Sequence, residues 1–236
     1  MLRVFISNFK KKWINARRFN FIKRKPSTKN LVRFLKENKT NERTLVVHSE
    51  DVDYLEFFPN SYSVTKRKEI YADFHTDIFY RGIEEIQNNS FNCILCTGLL
   101  EHIPEPQILI DNFYRILKPK GKLIISASSV FSIHEGPNDY LHFTHYSFAE
   151  LFKKWDRKQI IRGSSKPFET LGILMNRILL QCDIFPPIRP IIEIISLIIP
   201  FLDRFIMRQF DCVGYKSEDR IIDSMLPSNI QAVFYK

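Results

Sequence analysis

Glycine is scarce, at 7 of 236 residues. Loops that bring backbone against a bound nucleotide ordinarily rely on glycine, so any such loop here is built differently. Acids are absent from the first 36 positions, which hold 12 Lys and Arg; the first carboxylate is Glu37. Of the 35 basic residues, 23 then remain against 26 acids, so the formal charge of +9 describes an N-terminal arm and not the body. A nucleic-acid partner argued from charge loses its support, and none is expected. Cysteines number only four. Cys93 and Cys96 form a C-x-x-C, but within a run that reads as a strand, where positions i and i+3 face opposite sides. They are expected to be buried thiols in a reducing compartment, not a metal clamp. Long uncharged apolar runs are also lacking. Arg189, Glu193 and Asp203 interrupt the apolar stretch Ile184–Ile206, and its longest uncharged part, Ile194–Leu202, is short of the roughly 20 residues a spanning helix needs. A buried or interfacial helix is expected there. No secretory signal is read at the start, so a cytoplasmic location is expected.

What is present is enough apolar residue, 44%, for a packed core. In residues 1–25, Phe5, Phe9 and Trp13 recur every fourth position among Lys10, Lys11, Lys12, Arg17 and Arg18. On a helix this gives an aromatic stripe flanked by positive charge. It reads as an element for an anionic membrane surface, or else as a solvated arm or partner site. Pro26-Ser27-Thr28 is expected to break it, before a short helix over Asn30–Glu37 and a polar linker, Asn38–Arg43. Strands are expected at Thr44–Val47, Tyr62–Thr65, Phe91–Thr97 and Lys122–Ser126. Helices are expected at Tyr54–Phe58 and Pro106–Leu117, with a turn at Lys118–Gly121. Alternation of this kind implies a mainly parallel α/β sheet. Ligands bind beyond the carboxyl ends of such strands, so His48, Thr65, Thr97 and His134 should surround one cleft.

The segment Asn89–Phe148 resembles the small class I methyltransferases found among bacterial surface-polysaccharide enzymes. The resemblance rests on Asn89-Ser90-Phe91-Asn92, Gly98-Leu99-Leu100-Glu101-His102-Ile103-Pro104, Tyr114-Arg115-Ile116-Leu117-Lys118-Pro119-Lys120-Gly121 and the run His134–Thr144. It implies a Rossmann-like, mostly parallel seven-stranded sheet with helices on both faces. It implies S-adenosylmethionine as methyl donor and a saccharide or lipid-linked saccharide as acceptor; together with the basic arm, this gives the expectation of a protein peripheral at the inner membrane. By resemblance the donor would lie against His48, Ser49 and Glu50, against Thr65, against Gly82 and Ile83, and against Thr97 and Leu99. The family's first loop is glycine-rich, whereas Val47-His48-Ser49-Glu50-Asp51 has no glycine. Thr65 stands where the family has an acid for the ribose. These departures predict weak donor binding, and they keep open a catalytically inactive scaffold or partner subunit of the same fold.

His134 and Asp139 make the best chemical cluster, since histidine suits proton transfer near neutral pH and Asp139 can orient it. His102, Glu135 and Tyr140 are the expected substrate contacts. The alternative is a polar loop that pins the domain together. Glu50, Asp51 and Asp53 read either as a cation or altered-donor site or as a solvated, helix-capping turn. Neither His142 nor His145 has a partner spacing that argues for metal, and none is expected. The chain thus divides into an arm (1–36), a methyltransferase-like core (37–165), an apolar helical insertion (166–208) and C-terminal strands completing the sheet (209–236).

Overall fold

Leu45, Val47, Ile94 and Cys96 alternate along their strands with Val46, Cys93 and Leu95, and the two sets lie in separate cores. Successive strand side chains point to opposite faces, so a sheet apolar at nearly every position must be covered on both. A computed structural model describes residues 26–47, 54–65, 72–76, 83–155, 157–209 and 224–236. Its strands are β1 (Thr44–Val47), β2 (Ser61–Thr65), β3 (Phe74–His75), β4 (Phe91–Thr97), β5 (Leu117–Ser128), β6 (Arg157–Gly163) and β7 (Asn229–Tyr235). They form one seven-stranded sheet in the order β3-β2-β1-β4-β5-β7-β6. β1 to β5 run parallel, and β7 is antiparallel to both β5 and β6. This is the Rossmann-like class I methyltransferase architecture expected from the sequence.

Helix α1 (Pro26–Glu37) covers one face through Phe34 and Leu35, beside Tyr54, Phe57 and Phe58. Helices α2 (Pro106–Ile116) and α3 (His145–Leu151) cover the other through Leu109, Phe113 and Phe148. Cys93 and Cys96 are free thiols on opposite faces, as the strand reading required. Burial pushes the Cys93 thiol up to about 12 and the Cys96 thiol upward as well, so both stay protonated.

Several local expectations need correction. Helix α1, expected from Asn30, starts earlier, at Pro26, because proline's fixed φ suits a first helical turn. Residues 54–58 form a turn, with Phe57 and Phe58 both donating to the Tyr54 carbonyl, and not a helix. The turn expected at Lys118–Gly121 lies inside β5. Its backbone is irregular there: Lys120 has φ 66°, and a Cβ on Gly121 would meet the Lys118 carbonyl at 2.8 Å.

The insertion forms α4 (Pro167–Gln181), α5 (Arg189–Ile198) and a 3-10 segment, Ile199–Phe205. α5 packs on α4 and not on the sheet. A Cβ on Gly172 of α4 would sit 2.6 Å from the Ser196 carbonyl, so glycine sets how closely the two helices meet. Asp203 reaches back to the start of α4 and accepts from the backbone N–H groups of Phe168 (2.9 Å) and Glu169 (2.8 Å). The outer face of α5 leaves Ile191, Ile194, Leu197 and Ile198 exposed. The buried alternative of the two expected for this segment is thereby overturned. Among the described residues, no helix is long and apolar enough to cross a membrane. The arm over residues 1–25 lies outside the described residues.

Candidate active site

The parallel register brings Val47 beside Val64 and Cys96, and Thr97 beside Ser126, so the carboxyl ends of β1, β2, β4 and β5 share one edge. β1 and β4 are neighbours whose connections leave in opposite directions across the sheet, which is the switch point where such folds bind ligands. Gly98 ends β4 with φ +62°, and its N–H donates to the Ser126 carbonyl at 2.9 Å. That turn leads into a short 3-10 segment, Leu100–His102.

Glu101 and His102 are 1% and 2% exposed. One Glu101 oxygen, Oε1, accepts from the Ser128 N–H (3.1 Å) and hydroxyl (2.6 Å) at the end of β5. The other, Oε2, is buried and has no hydrogen-bond partner among the described residues. The Glu101 carbonyl accepts from the N–H groups of Tyr140 and Leu141, which draws the loop after β5 over the edge. His102 Nδ1 lies 2.8 Å from the Asn138 carbonyl in that loop.

His134 comes from the same loop and meets His102 edge to face, ring centroids 4.9 Å apart. Its backbone N–H donates to Asp139 Oδ2 at 2.9 Å. Its Nδ1 is 3.1 Å from the Ser132 carbonyl and 3.4 Å from Asp139 Oδ2. The Asp139 carboxylate is buried between His134 and His142, whose Nε2 is 3.5 Å from Oδ1. The insertion steadies this loop from outside. Arg177 Nε donates to the Ser132 hydroxyl (2.9 Å), and Gln181 Nε2 donates to the Ile133 carbonyl (2.7 Å).

Of the residues singled out from sequence, Thr65, Thr97, His102, His134 and Asp139 gather at this edge. Tyr140 is exposed, its hydroxyl donating to Asn138 Oδ1 at 3.1 Å. Glu135 is exposed with φ 53°, turned out of the cluster. Ile83 and Leu99 are fully buried in the core, so their side chains pack against protein and only their backbone is left for a ligand. His48, Ser49, Glu50 and Gly82 lie outside the described residues, as do Asp51 and Asp53. Glu101 was named from sequence only as part of the resembled motif, and Asn138 and Arg177 were not singled out. A buried carboxylate with one unsatisfied oxygen has no sequence signal beyond its place after an apolar strand.

The described part of the edge fits S-adenosylmethionine. Among the described residues, a Cβ at Gly98 would meet nothing within 4 Å, so no described side chain or backbone crowds that turn. Thr65, at the end of β2, offers a hydroxyl where the resembled pattern has a carboxylate.

Comparison with known proteins agrees with this architecture. A family model described as a methyltransferase domain matches residues 13–162. A ubiquinone biosynthesis O-methyltransferase of Coxiella burnetii is 37% identical over 73 residues, covering 24% of this chain and 31% of that protein. One from Xanthomonas oryzae pv. oryzae is 30% identical over 78 residues, covering 32% and 33%. The chain thus spans about a third of the length of these curated relatives. Among solved structures, a SAM-dependent methyltransferase from Archaeoglobus fulgidus superposes with a TM-score of 0.52 at 13% identity, covering 90% of this chain and 92% of that one. The [4+2]-cyclase SpnF superposes with 0.53 at 12% identity, covering 89% and 80%. At such identities the superpositions speak for the fold alone, and a cyclase among them illustrates that the fold does not fix the chemistry. The family model, matched over more than half of the sequence, does decide membership: the chain belongs to the class I S-adenosylmethionine-dependent methyltransferases.

Proposed function

We propose that the protein transfers the methyl group of S-adenosylmethionine to a hydroxyl oxygen of an amphiphilic acceptor, working at a membrane surface. The observation that carries this reading is His134, held by Asp139 and pressed against His102 over the loop that follows β4. The donor supplies an electrophilic methyl on sulfur, so the protein's task is alignment, exclusion of water and removal of the hydroxyl proton. That removal depends on His134. Its Nδ1 faces the Ser132 carbonyl and the Asp139 carboxylate, both hydrogen-bond acceptors, which leaves Nε2 for the substrate hydroxyl. Asp139 would stabilise the charge that develops on the ring.

Two observations favour an amphiphilic acceptor. The curated relatives are named for O-methylation in ubiquinone biosynthesis, which speaks for a hydroxyl on a lipid-soluble ring more than for the saccharide first expected. The insertion that steadies the His134 loop also exposes an apolar face. Calorimetric titration with S-adenosylmethionine tests donor use. Methyl transfer to a prenylated phenol and to a lipid-linked sugar tests acceptor class. His134→Asn is expected to lower kcat by about 10²–10⁴-fold with donor affinity unchanged. Absence of donor binding at millimolar concentration would instead favour the inactive scaffold. An undiminished kcat in His134→Asn would remove His134 from the chemistry.

A further inference from the structure

We propose that Glu101, His102 and His134 form a binding site for one divalent transition-metal ion of the zinc class, with a coordination position open toward the acceptor. The three side chains each offer one ligand atom, and these atoms lie within 4.8 Å of one another. Their hydrogen bonds assign which atoms are available. Ser128 occupies Glu101 Oε1 with two donors, leaving Oε2 buried and without a partner among the described residues. The Asn138 carbonyl only accepts, so His102 Nδ1 carries a proton and its Nε2 keeps a lone pair. The Ser132 carbonyl and Asp139 carboxylate do the same for His134. The hydrogen bonds thus leave two imidazole lone pairs and a carboxylate oxygen as the ligands this cluster can offer.

A buried carboxylate oxygen with no partner is costly, and a cation between the three groups removes that cost. The outer contacts match those of metal-binding histidines, whose second nitrogen donates to a carbonyl or carboxylate that fixes the tautomer. Two nitrogens and one carboxylate oxygen suit zinc-class ions rather than magnesium or calcium, which prefer oxygen. Bonds of about 2.0–2.2 Å at tetrahedral angles put ligands roughly 3.4 Å apart. Loading therefore draws the cluster inward from its present spread. Three protein ligands leave a fourth position for a hydroxyl, whose proton a bound cation makes easier to lose.

This deepens the hydroxyl-acceptor reading but does not depend on it. With metal bound, His134 Nε2 is a ligand and the cation acidifies the hydroxyl. Without metal, His134 is the base itself.

The test uses the full chain, stripped with a chelator and titrated with Co²⁺, whose visible absorption reports coordination number, and with Zn²⁺ against a competing dye. One ion per chain, four- or five-coordinate by its spectrum, is expected. Glu101→Gln and His134→Asn should each weaken binding by at least tenfold, with thermal melts confirming that both variants fold. Asp139→Asn, which touches no metal, should weaken it by about 10–100-fold. No stoichiometric binding, or binding indifferent to Glu101→Gln and His134→Asn, would overturn the site. Separate donor titrations keep the two ideas apart. Donor binding and methyl transfer by the stripped protein, with no Co²⁺ bound on titration, would sink the metal and leave the methyltransferase reading standing. Co²⁺ binding without donor binding would do the reverse.

Discussion

Lys120 adopts φ 66°, a left-handed conformation that favours glycine. A left-handed conformation costs a side-chain-bearing residue about 1–2 kcal/mol. Glycine in an element interior gives back about 0.5–1 kcal/mol through lost backbone entropy. Lys120→Gly should therefore stabilise the protein slightly, raising Tm by roughly 2 °C in a chain of this size, as calorimetry can check; a lower Tm would mean the exposed side chain contributes more than the strain. Arg115, in the same motif, shows what the pattern encodes. Its guanidinium donates to the carbonyls of Ile83 (2.9 Å) and Ile86 (2.6 Å) and to Asn88 Oδ1 (2.7 Å), tying the segment before β4 to α2. At this scale the sequence was legible where a side chain acts through its own strand or turn, as with the opposed Cys93 and Cys96. It was not legible where two loops meet. Nothing local to Glu101 says that Ser128 will claim one of its oxygens, or that His134 will arrive beside the other.

Among the elements, strands were the easier to read. Four were placed within a few residues, because a sheet covered on both faces leaves continuous apolar runs. The insertion was harder. Its apolar content suggested burial, yet α5 packs one side on α4 and leaves the other outward. What anchors it is polar. Asp203 satisfies two of the N–H groups left open at the start of α4, an arrangement of the kind that stabilises helix N-termini. Asp203→Ala should cost about 2 kcal/mol and should show first as faster proteolysis within residues 166–208. Asp203→Asn, which keeps one acceptor, should fall between. Equal protease resistance in all three proteins would mean that the Gly172–Ser196 contact alone holds the pair. Because Arg177 and Gln181 of α4 bond to the His134 loop, loosening the insertion should also lower activity.

For the whole molecule, charge and apolar surface point the same way. The two acids of the α5 region, Glu193 and Asp203, are buried, while Arg204 and Arg208 are exposed beside the apolar face. The sequence adds a basic, aromatic arm. If both contribute to holding the protein at an anionic bilayer, as proposed, co-sedimentation with anionic vesicles should fall with salt, since each basic residue near the surface adds about 1 kcal/mol within a Debye length. It should also fall when Ile194 and Leu197 are both changed to Asp. Retention of full binding by that double variant would exclude the α5 face, and equal binding to neutral vesicles would exclude the charge.

The position of β7 also bears on how the protein comes to be made. Residues 229–235 fill the gap between β5 and β6, and Phe234 stacks on Phe152 at 4.1 Å. A nascent chain that has not yet delivered them holds β5 and β6 apart, each with an unpaired edge and an uncovered aromatic cluster between. Such edges recruit other chains. The sheet therefore closes only after those residues leave the ribosome, and until then the growing polypeptide carries unpaired strand edges.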